Sequence, residues 1–166
     1  MRQAIDLTLA WLFERGYRNL IIEVCNETSA HGYHHASLQL AGVSGLIRHI
    51  REIEQNRWRF PVGVSLSGAE LPTPEIVAAS DLILLHGNNH RGAVTDPVKI
   101  REMIAATRAL PGYRPMPIMF NEDDHYAFDQ PDNNFIAATE NHVSWGYFDF
   151  RRKEDTYENG FQSVPV

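Results

Sequence analysis

Apolar positions recur along this chain in two alternating rhythms. Ile5, Leu9, Leu12 and Phe13 repeat at helical spacing over residues 3–15, and Gly16 follows as a stop. Residues 19–26 are then β-branched and nearly continuously apolar, the pattern of a strand buried on both faces. A second helical period, Leu40, Val43, Leu46, Ile47, Ile50 and Ile53, predicts a helix over 36–56. The alternation continues with strands at 61–66, 81–86, 117–121 and 142–150, and with helices at 75–79, 97–109 and 133–140. Five buried strands joined by helical crossovers predict an α/β domain whose parallel sheet is covered by helices.

Two glutamates interrupt the first apolar strand, in "IIEVCNET". An ionised carboxylate in such a run needs partners, so Glu23 is expected inside the sheet, holding neighbouring side chains by hydrogen bonds. Glu27 stands at the strand's carboxyl end, and other polar residues collect at the matching ends. They are Ser65 and Ser67 after the second strand, His86 to His90 after the third, Asn121 to His125 after the fourth, and Ser144 to Tyr147 in the fifth. Neighbouring parallel strands bring such ends together, and ligands bind there in barrels and open sheets alike. Glu27 and Glu122 occupy equivalent positions, each preceded by an asparagine. Two carboxylates across a cleft divide acid and nucleophile duties in glycoside hydrolysis. Trp145 offers a ring face for a sugar.

Composition narrows the classes. The 166 residues are 43% hydrophobic and 22% charged, enough for one domain with a real core. A net charge of -6 and a pI near 5.7 argue against a nucleic-acid partner, and the one basic cluster, Arg151 to Lys153, runs straight into Glu154 and Asp155. Neither a dinucleotide glycine pattern nor a phosphate loop follows any strand, so no cofactor is expected. The single cysteine, Cys25, excludes an intrachain disulfide and reads as a small buried hydrophobe. His31, His34 and His35, with Glu27 or with Asp123, Asp124 and His125, fit no common zinc spacing, so no metal is expected. No segment is long enough to cross a membrane, and residues 1–17 read as an amphipathic helix rather than a signal peptide, which makes the cytoplasm the default location.

The strand-end residues carry a resemblance. "EVCNE" resembles the fourth-strand signature of the clan A glycoside hydrolases, especially the cellulase-like family five, in which a glutamate is followed after two residues by an Asn-Glu pair. The resemblance implies that Glu27 is the acid/base and that Asn26 contacts the sugar beside the scissile bond. "PIMFNE" is similar to the seventh strand, making Glu122 the nucleophile. His86 of "LLHGN" matches the sixth-strand histidine and Trp145 of "VSWGYFD" the eighth-strand tryptophan. Tyr126 lies in the loop after Glu122 and is a further candidate for the sugar cleft. Thr28 stands where the family usually has proline, Asp123 where it has a small or aromatic residue, and no tyrosine follows His86 at the usual spacing.

The order of these motifs implies strands four to eight of a (β/α)8 TIM barrel, a partial barrel of about five parallel strands lacking the first three. A whole barrel needs about 250 residues. A single truncated domain over residues 1–166 is therefore expected, with a β-linked oligo- or polysaccharide as substrate. Its open sheet edges are expected to pair copies into a homo-oligomer. The expectation from another class is an inactive half-barrel that oligomerises or binds carbohydrate.

Overall fold

The computed structural model describes residues 1–30, 32–88, 96–124 and 127–148. Its elements run α1 (Arg2–Glu14), β1 (Ile22–Glu23), α2 (Val43–Glu52), β2 (Val62–Gly63), α3 (Pro74–Ala79), β3 (Ile83–His86), α4 (Pro97–Arg108), β4 (Ile118–Asp123), α5 (Asn134–Thr139) and β5 (Ser144–Tyr147). The order is the alternation that the apolar pattern predicts. Three helix starts follow from local chemistry. Thr73, Asp96 and Asn133 each accept a backbone N–H three residues on, and Pro74 and Pro97 fill the first turn, where no N–H is needed. Residues 149–150, expected in the last strand, lie outside the described residues.

The helix expected over 36–56 is corrected. Ala36–Leu38 forms a single 3-10 turn, and α2 begins only after Gly42. A Cβ on Gly42 would sit 2.3 Å from the Ala36 carbonyl oxygen, so the chain folds back on itself there and restarts. The amphipathic face survives the break: Val43, Leu46, Ile47 and Ile50 are all buried.

The expected set of about five parallel strands is seen in part, divided between two sheets. Among the described residues the strands form a two-stranded sheet, β1-β2, and a three-stranded sheet, β3-β4-β5, all parallel, and no barrel closes. Between them, Asp81 N–H donates to the Val62 carbonyl at 2.9 Å, but the return contact is made by a side chain, Val62 N–H to Asp81 Oδ2 at 3.2 Å. A carboxylate thus stands where a ladder would continue. Arg59 Nη2 grips its Oδ1 at 2.8 Å, and Arg51 Nε lies 3.2 Å from the same oxygen.

Burial pushes the Asp81 carboxyl up. The hydrogen bonds and charge of Arg59, with the charge of Arg51, outweigh it and hold the group below its ordinary value. A depressed carboxyl contributes stability that is complete above the unfolded value of about 3.9 and is lost as pH falls through the lower folded value. Urea midpoints followed from neutral pH to about pH 2 are expected to fall more steeply for the native chain than for Asp81→Asn. Parallel slopes would remove Asp81 from that account.

Each sheet has a helix-covered face. Ile22, Val24, Val62, Val64 and Leu66 pack with Leu9, Phe13, Ile47 and Ile50 of α1 and α2. Ile83, Leu85, Ile118 and Phe120 pack with Ile100, Met103, Ile104, Ala137 and Ala138 of α4 and α5. Alternation sends Glu23 and Asn121 to the other face. There they meet, Asn121 Nδ2 donating to Glu23 Oε2 at 3.4 Å. A side chain of β1 touching one of β4 means that the two sheets bend towards each other around a polar interior. Glu23 is therefore an interior carboxylate hydrogen-bonded across strands.

Candidate active site

Glu27 follows β1 in a left-handed backbone conformation, φ +46°, that side chains other than glycine rarely adopt. Ser65 holds it there. Its Oγ accepts the Glu27 N–H at 3.0 Å and its carbonyl accepts the Thr28 N–H at 3.1 Å. Strain kept by specific bonds is characteristic of functional positions.

Glu122 reaches the same place by a different device. Leu85 pairs with Phe120, but His86, the next residue, pairs with Glu122. One extra residue in β4 makes a bulge, and bulges re-aim side chains. Strict alternation from Phe120, which faces the helices, would point Glu122 at the helix layer. The bulge turns it to the side of His86. Asp123 then faces the helices and is fully buried.

His86 joins the two glutamates. Its ring is 1% exposed. Nδ1 lies 3.1 Å from Glu27 Oε1, and Nε2 lies 3.3 Å from Glu122 Oε2. The first contact has hydrogen-bond geometry; the second is close but not aligned for one. The two carboxylate side chains keep 16% and 19% of their surface, so they remain open to a ligand while the ring between them does not. Two contacts across one imidazole ring set an upper bound of about 9 Å on the separation of these carboxylate oxygens, against about 5–5.5 Å for retaining pairs and about 6.5–9.5 Å for inverting ones. Burial pushes the Glu122 carboxyl up. His86 and the Asn88 amide pull it down, and the charges of Glu27 and Glu23 push it further up.

Of the sequence candidates, the structure brings Glu27, His86 and Glu122 together. Asn26 stands beside Glu27, its Oδ1 3.4 Å from Ser65 Oγ and its carbonyl accepting the Tyr33 hydroxyl at 2.6 Å. Tyr126, His31 and His125 lie outside the described residues. Trp145 is not brought to the pair. It is cross-strand to Phe120 and shares its helix-side face. Its Nε1 donates to Asp123 Oδ2 at 2.8 Å, and its ring packs edge-on against Phe128 and Phe135. That corrects the expectation of a stacking platform at this position: register, not proximity along the chain, decides which face a strand residue serves.

Of the loop histidines, His35 has a local partner. His35 Nδ1 caps the 3-10 turn by accepting the Ser37 N–H at 3.3 Å. Burial pushes the Cys25 thiol up, which keeps it protonated. Among the described residues, no group of three or more His, Cys, Asp or Glu side chains is placed to hold a metal ion. Among the same residues, no helix is long and apolar enough to cross a membrane.

Sequence reasoning missed Ser65, which seats Glu27, and Asn88, whose Nδ2 donates to Glu122 Oε1 at 2.9 Å. Both belong to polar strand ends visible in the sequence, but nothing in their spacing marks them from their neighbours. No protein-family model, no curated protein and no solved structure matches this chain.

Proposed function

We propose that the chain is a partial (β/α)8-type glycosidase that hydrolyses a β-linked glucan with retention, using Glu122 as nucleophile and Glu27 as acid/base. The observation that carries this reading is the buried His86 ring touching both carboxylates, which stand at the ends of strands in different sheets. The resemblance of "EVCNE" and "PIMFNE" to the clan A strands assigns the roles.

In the first step Glu122 Oε2 bonds to the anomeric carbon as the glycosidic C–O bond breaks. The departing oxygen takes the bond's electron pair and the proton of Glu27. In the second step water attacks the same carbon, Glu27 takes the water's proton, and Glu122 leaves as a carboxylate. The resting proton fits between Glu27 Oε1 and His86 Nδ1. Nε2–H then faces the negative Glu122, the tautomer in which both contacts attract. The upward push on Glu122 would by itself suit an acid, so His86 and Asn88 matter: each favours the ionised nucleophile.

The test is a panel of soluble β-glucans with the released sugar followed by proton NMR. The expected first product has the β configuration. An α product would replace retention by inversion, and no release from any β-glucan at high protein concentration would end the hydrolase reading.

The second reading, an oligomerising or carbohydrate-binding module, is favoured by large apolar side chains exposed on α1 and just before β1. Leu7 and Trp11 on α1 are 65% and 48% exposed, and Ile21 is 50% exposed. Exposed apolar side chains that gather into a patch mark interaction sites. Light scattering at micromolar concentration is expected to show more than one copy, and Trp11→Glu to shift the distribution towards monomer. A monodisperse native monomer would remove this reading of the surface.

A further inference from the structure

Three consecutive residues at the end of β3 each hold Glu122. His86 Nε2 lies 3.3 Å from Oε2, Gly87 N–H donates to the Glu122 carbonyl at 2.7 Å, and Asn88 Nδ2 donates to Oε1 at 2.9 Å. Gly87 permits the approach. A Cβ there would stand 2.7 Å from the Asp123 carboxylate, so any side chain would have to displace that buried carboxylate. Asn88 is 6% exposed, which fixes its amide as a donor shielded from water.

We infer that His86-Gly87-Asn88 is a clamp in which Asn88 is the positioning residue that occupies Oε1 and leaves Oε2 as the attacking oxygen of Glu122. This rests on the glycosidase reading for its consequence, but not for its geometry. A carboxylate has two equivalent oxygens until its surroundings distinguish them. Here one oxygen accepts a buried amide. The other faces a ring nitrogen with which it makes no hydrogen bond, so its lone pairs stay available. The clamp also bears on the nucleophile's charge. The groups facing Glu122 are His86 of β3, the Asn88 amide, Glu27 after β1 and Glu23 within β1. Burial and both neighbouring carboxylates oppose ionisation, and among the described residues His86 and Asn88 support it. Removing Asn88 therefore protonates Glu122 at higher pH.

The test uses the full chain labelled with 13C at glutamate carboxyls, titrated without sugar. Asn88→Ala is expected to move the Glu122 titration upward by about one pH unit, the scale of one hydrogen bond to a charged group. Asn88→Asp keeps the shape, removes the donor and faces one carboxyl with another, so its shift is expected to be larger. Asn88→Ser keeps a donor and should shift least, and Asn88→Asp stands in if the alanine variant fails to fold. On a glucan, Asn88→Ala is expected to lower kcat about 10- to 100-fold with KM nearly unchanged, and to move the acid limb of the pH profile by the same amount as the titration. A Glu122 titration unmoved in Asn88→Asp, and in Asn88→Ala where that variant folds, overturns the clamp, whether or not the protein cleaves sugars. A moved titration in a protein that hydrolyses nothing leaves the clamp standing and removes the glycosidase.

Discussion

Glu122→Gln is expected to lower kcat on a β-glucan by about 10⁴-fold or more, because an amide cannot form the glycosyl ester and no other route is as fast. Glu27→Gln on the same substrate is expected to lose about 10²- to 10⁴-fold, the usual contribution of a proton donor. The two losses have different chemistry, so an activated substrate separates them. A dinitrophenyl β-glycoside leaves without help from an acid. On it, Glu27→Gln should cleave the bond nearly as fast as the native chain and then slow at hydrolysis of the ester, giving a burst of dinitrophenol. Glu122→Gln should stay inactive on both substrates. The reverse pattern would exchange the roles, and that outcome has a physical basis: the group pushed upward by burial is Glu122. Equal, small losses in both variants would mean that neither carboxyl reacts. Each variant keeps the side chain's shape and removes the carboxyl's reactivity, so lost activity in a folded variant speaks to chemistry rather than to folding.

Asp123→Ala is expected to be the most destabilising single change near the site, at roughly 3 kcal/mol. The carboxylate is fully buried on the helix side of β4. One of its oxygens, Oδ2, accepts both Trp145 Nε1 at 2.8 Å and Asn134 Nδ2 at 2.9 Å, tying β4 to β5 and to α5. Alanine would leave both donors without that acceptor, one of them on the buried Asn134, and each stranded group costs about 1–3 kcal/mol. That is a large share of the 5–15 kcal/mol typical of a domain. Urea unfolding followed by tryptophan fluorescence measures it, and the fluorescence of Trp145 should change even in the folded state. A loss below about 0.5 kcal/mol, the range of ordinary surface changes, would show that the hydrogen bonds are replaced by water. Because Asp123 adjoins Glu122 on the opposite face, a folded Asp123→Ala should also lose activity through the nucleophile's position.

Much of the architecture was legible in the residues. The periods of apolar positions placed the α-helices and strands of the described residues in order, while Thr73, Asp96 and Asn133, not singled out by those periods, start three of the helices by their side-chain chemistry. These signals are local, so one stretch of chain carries each of them. The 36–56 helix went wrong because its apolar period continues through Gly42, while the turn there depends on backbone packing against Ala36. The sheet divides where a side chain, Asp81, takes the place of a ladder bond.

The site divides in the same way. That polar groups gather at the carboxyl ends of the strands was determined by the sequence, since parallel crossovers leave those ends side by side. Which of those groups face one another was decided only by the tertiary structure. Side-chain direction in a strand alternates with every residue, so one bulge after Phe120 moves Glu122 from the helix layer to His86 and sends Asp123, with Trp145, the other way. Glu27 depends likewise on a left-handed turn held by Ser65, a residue 38 positions away. Register and long-range hydrogen bonds are properties of paired strands, and no single strand's sequence contains its partner.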